Sequence, residues 1–405
     1  MLRGTRQAAA AVASAAPTSG STSTGTAASA VTSRRPLLGL TWAHLLNDGA
    51  ANYIPGVLPA VLVALHEPIQ IAGVLIAALT VGQACQPAIG FIADRVGGRS
   101  LVVTGLLLSS LGGGLVAAAP NTVLLVVLLL LIGLGSAFFH PQALAGVRTL
   151  IRGRTGFLTS AFLVGGELGR GIWPTVASVV VADLGLHSLW IIALPGVATV
   201  PLLWHYAPRI APVPRTEHPV GISRRGRPIA LLLGYQGVRA LVTFGLVTFI
   251  PILWHLRGKT LVTGASIITT MIVVGVVGNL WGGHLTDRLG RRPVLIVSGV
   301  ATSACIFPLV YLEGAWVWIS AALLGIALFL TASTTVLIGQ DILPENRSMG
   351  SGLAIGFANG IGALAVLVIG FVVNDHDLMP VFWLLAALGL ASTATAVVMP
   401  QSLLG

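Results

Sequence analysis

Gly90-Phe-Ile-Ala-Asp94-Arg95-Val-Gly97-Gly-Arg99 is nearly repeated 193 positions later as Gly283-His-Leu-Thr-Asp287-Arg288-Leu-Gly290-Arg-Arg292. Each copy ends one long apolar run and begins another. The stretch therefore reads as a polar hinge between two membrane spans, present once in each half of the chain. The repeat predicts a duplicated architecture and supplies a register for comparing the halves.

Composition points the same way. The mean hydropathy is +0.93 and charged residues make up 8% of the chain. A soluble domain carries about 25% charged residues. Lipid is the natural solvent for most of this surface. Both cysteines, Cys85 and Cys305, lie inside apolar runs and read as small buried side chains. They cannot build a metal cluster or a disulfide framework.

Residues 1–33 are mostly Ala, Ser, Thr and Gly, with Arg3 and Arg6 and no acid. Such a segment cannot bury enough apolar surface to fold and is expected to be a disordered tail. Arg and Ser without acid also resemble an organelle transit peptide. The long apolar core of a secretory signal is lacking.

A helix needs about 20 apolar residues to cross the hydrocarbon. Apolar runs fall near 37–63, 70–93, 99–118, 121–146, 155–182 and 187–207, then 228–254, 262–285, 292–311, 315–340, 348–373 and 379–399. The linker at 208–227 holds Pro208, Pro212, Pro214, Pro219 and five arginines, and continues neither neighbouring helix. The expectation is an all-α integral membrane protein with twelve transmembrane helices in two pseudo-symmetric six-helix bundles. Its parts are a tail at 1–36, one bundle at 37–207, the linker at 208–227 and a second bundle at 228–405.

Orientation follows from the basic residues. With the N-terminus in the cytoplasm and the spans alternating, 18 of the 22 Lys and Arg residues fall in cytoplasmic segments. Only Arg257 and Lys259 fall outside, and Arg170 and Arg239 remain within helices. This asymmetry obeys the positive-inside rule. The net charge of +10 is thus a topology signal, and a nucleic-acid partner is not expected. The expected location is the inner (plasma) membrane, with both termini cytoplasmic.

Asp94 and Asp287 sit at helix ends. They can bridge to adjacent arginines or meet the positive end of a neighbouring helix dipole. The glycines permit a tight turn and close helix approach. Asp94, Arg95, Arg99, Asp287, Arg288 and Arg292 are the expected gating residues, which would hold one side of the bundles in one state.

Gly-x-x-x-Asp-Arg-x-Gly-x-Arg after the second and eighth spans resembles the signature loop of the major facilitator superfamily, over residues 37–400. A closer resemblance is to its fosmidomycin-resistance branch. It is carried by His44-Leu-Leu-Asn47-Asp48 in the first span, Phe139-His140-Pro141 ending the fourth and Val164-Gly165-Gly166 in the fifth. The resemblance implies the two-bundle fold and proton-coupled export of small anionic drugs. Where that branch continues with Asn and small residues, this chain has Glu167-Leu-Gly-Arg170-Gly-Ile-Trp173-Pro174. That departure bears on the substrate.

Charges deep in helices are costly in lipid and face a cavity or a partner. There are four: Asp48, Glu167, Arg170 and Arg239. Glu167 and Arg170 stand three apart and can pair. Asp48 shares a stripe with His44 and Asn52. The 193-residue register carries position 46 onto Arg239, so Asp48 and Arg239 are expected at similar depth. In the superfamily's arrangement their helices face a central cavity. Tyr235 and Thr243 share the Arg239 face.

Two readings stay open. The four charges could be structural glue between helices, or a substrate and proton site. Arg stays charged and offers a fork for carboxylate or phosphonate. Asp and Glu can change protonation with their surroundings. On the second reading Arg170, Arg239, Tyr235 and Asn52 bind substrate, while Asp48, Glu167, His44 and His140 handle protons. His140-Pro141 could relay protons or merely mark a kink. Trp173-Pro174 reads as a packed kink. Thr331, Ser333, Thr334, Thr335 and Asn359 could line a cavity or serve as packing glue.

No Walker-type loop, HExxH or Gly-x-Ser-x-Gly element appears, which argues against ATP hydrolysis and hydrolase chemistry. The expectation is a non-enzymatic, monomeric transporter without cofactor or metal, whose partners are lipid, protons and a small anionic or zwitterionic molecule. The alternatives are an importer or facilitator of an organic acid and a non-transporting scaffold or sensor.

Overall fold

The computed structural model describes residues 34–150, 155–212, 225–343, 350, 352–374 and 377–404. Residues 1–33, the Arg152–Arg154 loop, most of the linker and Arg347 lie outside them, so the expectations for these segments do too.

The first half contains α1 (Arg34–Asn52), α2 (Ile54–Ala64), α3 (Ile71–Gln83), α4 (Gln86–Val96), α5 (Ser100–Leu115), α6 (Thr122–Leu150), α7 (Thr155–Leu184) and α8 (Leu194–Tyr206). The second contains α9 (Gly226–Leu256), α10 (Leu261–Leu289), α11 (Arg291–Tyr311), α12 (Trp316–Phe329), α13 (Ala332–Ile342), α14 (Ala358–Val372) and α15 (Met379–Val398). Among the described residues, nine helical segments are long and apolar enough to cross a membrane. The other three expected spans differ for physical reasons. The first is broken between α1 and α2, where Pro55 removes a donor and crowds the preceding turn. The fifth, α7, carries Glu167 and Arg170. The eleventh, α14, is short and follows a π-helical turn at Leu353–Phe357.

Packing repeats between the halves. α1 lies on α7 as α9 lies on α14; α3 meets α6 as α10 meets α12; α5 meets α8 as α11 meets α15. The halves touch through α7 with α10, α3 with α14, and α2 with α9 and α10. Named ties in this interface include Thr175 Oγ1 to Thr269 Oγ1 at 2.6 Å, Thr269 Oγ1 donating to the Gly171 carbonyl at 2.6 Å, and Gln70 Nε2 donating to the Val373 carbonyl at 3.0 Å. Each lies beyond Asp48 and Arg170, toward the ends of the helices remote from the two glycine turns. The chain is a multi-pass membrane protein, its apolar exterior facing lipid and its polar groups gathered inside.

Candidate functional site

Asp48 on α1 is the centre of a polar cluster drawn from three helices. It is buried, with 2% of its surface exposed. Glycines on α7 make the assembly possible. A Cβ at Gly165 would strike Thr41, and one at Gly169 would strike the Leu45 backbone. A Cβ at Gly166 would strike His44 and come within 2.9 Å of Asp48 Oδ2. The Gly165-Gly166 pair therefore lets α7 approach α1 closely enough for its charges to reach Asp48.

The two histidines are held by the same device. His44 Nδ1 donates to the Phe162 carbonyl at 2.8 Å, and its ring is stacked with Phe162 and Phe139 at 4.3 and 5.8 Å. His140 Nδ1 donates to the Ser136 carbonyl at 2.8 Å. Each carbonyl fixes its ring so that Nε2 turns toward Asp48. His140 Nε2 lies 3.0 Å from Asp48 Oδ1, His44 Nε2 lies 3.5 Å from Oδ2, and the two Nε2 atoms are 3.3 Å apart. Three acceptors converging this closely call for a proton or a cation among them. Asn47 Nδ2 donates to Asp48 Oδ1 at 3.1 Å, and Ser109 Oγ holds Asn47 through its Oδ1 at 2.9 Å.

Arg170 completes the cluster. Its Nη2 lies 3.6 Å from Asp48 Oδ2 and its Nη1 lies 3.5 Å from Glu167 Oε1. The cation thus bridges two carboxylates. Glu167 Oε2 and Arg170 Nε are buried without a hydrogen-bond partner, yet the side chains remain 25% and 36% exposed. His44, Asp48 and His140 place donor atoms within 4.8 Å of one another. A cation could fit that spacing, but the Arg170 guanidinium beside the same carboxylate opposes one.

Asp48 and Arg239, expected at similar depth, form no ion pair with each other; the cation beside Asp48 is Arg170. Arg239 is buried and points to a break in the second half. Its Nη2 donates to the Leu328 carbonyl at 2.5 Å and to Ala327 at 3.4 Å. α12 ends there, so these carbonyls lack helical partners, and the negative end of its dipole meets the guanidinium. Among the described residues no carboxylate lies in ion-pair range of Arg239. Tyr235 sits beneath it at 5.9 Å and donates its hydroxyl to the Leu295 carbonyl at 3.3 Å. Asn52 turns back to donate to the Asp48 carbonyl at 2.8 Å. Thr334 pairs with Thr286 at 2.6 Å, and Thr335 bonds within its own helix.

The two hinges are built differently. Gly97, Gly98 and Gly290 take φ of +61°, +77° and +83°, a region that strains other residues. Gln142, two residues beyond His140, donates to the Gly97 carbonyl at 2.8 Å and accepts from the Val102 amide at 3.1 Å. It thereby ties the first turn to α6 and caps an orphan donor of α5. Arg99 donates to the His205 carbonyl at 3.2 Å and lies over Trp204. Arg292 donates to the Met399 carbonyl at 2.5 Å. Asp287 and Arg288 are exposed and, among the described residues, make no ion pair within reach, so the expected bridge to an arginine is not formed there. Arg95 is exposed; the Asp94 side chain lies outside the described residues.

A family model described as Major Facilitator Superfamily matches residues 40–367 and 232–403. The chain is 26% identical over 398 residues to the fosmidomycin resistance protein of Escherichia coli (strain K12), covering 91% of this chain and 95% of the relative. It is 24% identical over 354 residues to an uncharacterized MFS-type transporter, YfnC, of Bacillus subtilis (strain 168), covering 83% and 86%. The fold is similar to the crystal structure of a mutant of the nucleoside transporter NupG, with a TM-score of 0.75 at 14% identity, covering 89% of this chain and 98% of that one.

Proposed function

We propose a transport cycle for this chain, which belongs to the major facilitator superfamily: export of a small zwitterionic or anionic compound in exchange for protons. The observation that carries the reading is the Glu167–Arg170 pair, in which Oε2 and Nε are buried and unpartnered beside the Asp48–His44–His140 cluster. A substrate anion meets the Arg170 fork. A substrate ammonium or other donor meets Glu167 and Asp48. A proton arriving on Asp48 or His140 removes negative charge from the same wall and weakens the hold on the positive end. Proton and substrate then alternate, which is exchange.

The excess of basic residues in the assigned cytoplasmic loops supports cytoplasmic termini, and the plasma membrane is the location this reading adopts. On that orientation the named ties between the halves lie on the outer side, and the site is reached from the cytoplasm. The glycine turns act as cytoplasmic gates. Arg239 supports the broken span of the second half and reaches substrate only if that break moves.

Import or facilitated passage of an organic acid is the second reading, favoured by Arg170 as a carboxylate partner. A purified-protein binding screen separates them. Zwitterions should stabilise the protein more than matched carboxylates lacking the ammonium. A preference for simple carboxylates, unaffected by Glu167→Gln, would remove the zwitterionic substrate and its ammonium contact with Glu167.

A further inference from the structure

The end of the molecule remote from the glycine turns carries a second polar feature, unconnected with the Asp48 cluster. Where α9 and α11 finish, Trp254, Arg257, Lys259, Val310, Tyr311 and Glu313 line a recess of about 400 Å³. Arg257 and Lys259 are the two basic residues that the topology rule leaves outside the cytoplasmic loops. Arg257 Nη2 donates to the Val310 carbonyl at 2.7 Å, and the guanidinium lies 5.1 Å from the Trp254 ring centre. One edge of the fork is thereby fixed and the rest remains free to donate. Trp254 is itself 4% exposed, and its indole N–H is buried without an acceptor. A buried donor of this kind needs an acceptor. Glu313 adds one negative charge to the two positive ones. Exposed Tyr311, Trp316 and Trp383 surround the site, and Trp383 Nε1 donates to the Tyr311 hydroxyl at 3.1 Å. Aromatic side chains gathered at helix ends mark the headgroup level of a bilayer.

We propose that this recess binds a phosphate ester bearing a primary ammonium group. The phosphate oxygens accept from Arg257 and Lys259, over the Trp254 ring. The ammonium donates to Glu313. A phosphate without an ammonium leaves Glu313 facing anionic oxygens, and a quaternary ammonium has no N–H to give it. The chemistry is that of a phosphatidylethanolamine headgroup or of a soluble ethanolamine phosphate. The inference rests on this recess alone and stands or falls apart from the transport reading.

Native mass spectrometry of the purified full-length chain with added phosphatidylethanolamine or phosphatidylcholine tests it, beside thermal shift with O-phosphoethanolamine or inorganic phosphate. The wild type should retain phosphatidylethanolamine about threefold or more over phosphatidylcholine, a difference of about 0.65 kcal/mol. Glu313→Gln should erase that preference while keeping the protein folded. Arg257→Gln should weaken retention of both lipids, and Arg209→Gln, at the opposite end, should change neither. Stabilisation by O-phosphoethanolamine, lost in Glu313→Gln, without lipid discrimination would support the site with a soluble source. No discrimination by the wild type in either assay, or an undiminished preference in Glu313→Gln, would overturn it.

Discussion

His140 Nε2 lies 3.0 Å from Asp48 Oδ1, while its Nδ1 is committed to the Ser136 carbonyl at 2.8 Å. The two residues belong to different helices, α6 and α1. On the proposed reading a proton would sit between them, with His44 Nε2 as a second seat 3.3 Å away. Proton transfer here changes the charge of a wall that also carries Arg170. In the proposed cycle that is how protonation is linked to whatever Arg170 binds.

Asp48→Asn and His140→Gln should therefore abolish accumulation driven by a pH gradient yet retain counterflow, which moves no net proton. Paired proteoliposome assays, with a gradient in one arm and substrate on both sides in the other, read the difference. Gradient-driven accumulation at the wild-type level in both variants removes this pair as the proton site. Loss in Glu167→Gln alone would move it to α7.

The sign of the pH dependence separates the two transport readings. If a substrate ammonium occupies the carboxylates, protons compete and affinity falls as pH is lowered, by up to about tenfold per pH unit for one proton. If a simple carboxylate binds Arg170, protonating Asp48 frees the guanidinium and affinity rises as pH is lowered. Isothermal titration at several pH values reads the slope directly. The export reading requires the first sign.

The arginines should behave unlike each other. Arg170→Gln removes charge-assisted hydrogen bonds worth about 1.5–3 kcal/mol and should cost roughly ten- to hundredfold in substrate affinity. Arg170→Lys keeps the charge without the fork and should be intermediate. Arg239→Gln should chiefly lower the thermal midpoint, because the Leu328 carbonyl loses its donor, while Ala327 keeps that of Ser298 Oγ. A normal midpoint with lost binding in Arg239→Gln would return that residue to the substrate site.

Much of this was legible in the sequence because membrane burial makes polar residues conspicuous. The repeated hinge gave the duplication, and Asp48, Glu167, Arg170 and Arg239 stood out as charges in apolar runs. The Glu167–Arg170 pair followed from helical spacing alone. Long-range pairing did not. The 193-residue register relates equivalent positions, but equivalence does not place side chains together. Asp48 found Arg170 because Gly165, Gly166 and Gly169 bring α7 against α1. Backbone carbonyls were also invisible: nothing in the residue string shows that Phe162 and Ser136 orient the histidines, or that Leu328 holds Arg239. Asn47 and Gln142 were present in or beside quoted motifs, but their partners come from distant helices.

The hinge aspartates should act on state balance rather than on affinity. Asp94 and Asp287 lie in the last turns of α4 and α10, away from Asp48, so in Asp94→Asn and Asp287→Asn binding should stay within about twofold of the wild type while accessibility of engineered cysteines changes. The first hinge is tied to α6 through Gln142, two residues from His140, so its variant should shift the balance more. Strongly weakened binding with unaltered accessibility would place the hinges in the binding site instead.

The final expectation concerns Gly166, which faces the cluster, and Gly169, which faces backbone. Both lie on the α1 side of α7. At Gly166 an added methyl meets the His44 ring and Asp48 Oδ2, side chains that can shift. At Gly169 it meets the Leu45 carbonyl, which can move only with α1 itself. Overpacking of this kind costs about 1–3 kcal/mol. Gly169→Ala should therefore lower the thermal midpoint and weaken transport through loss of folded protein. Gly166→Ala should keep more of the fold yet push His44 and Asp48 away from His140 and Arg170. Its signature is a flattened pH dependence of substrate affinity in protein that remains folded. Measuring midpoint and binding slope together on both variants distinguishes the effects. If Gly166→Ala keeps the wild-type slope, the approach of α7 to α1 does not set the proton site, and the glycine pair serves packing alone.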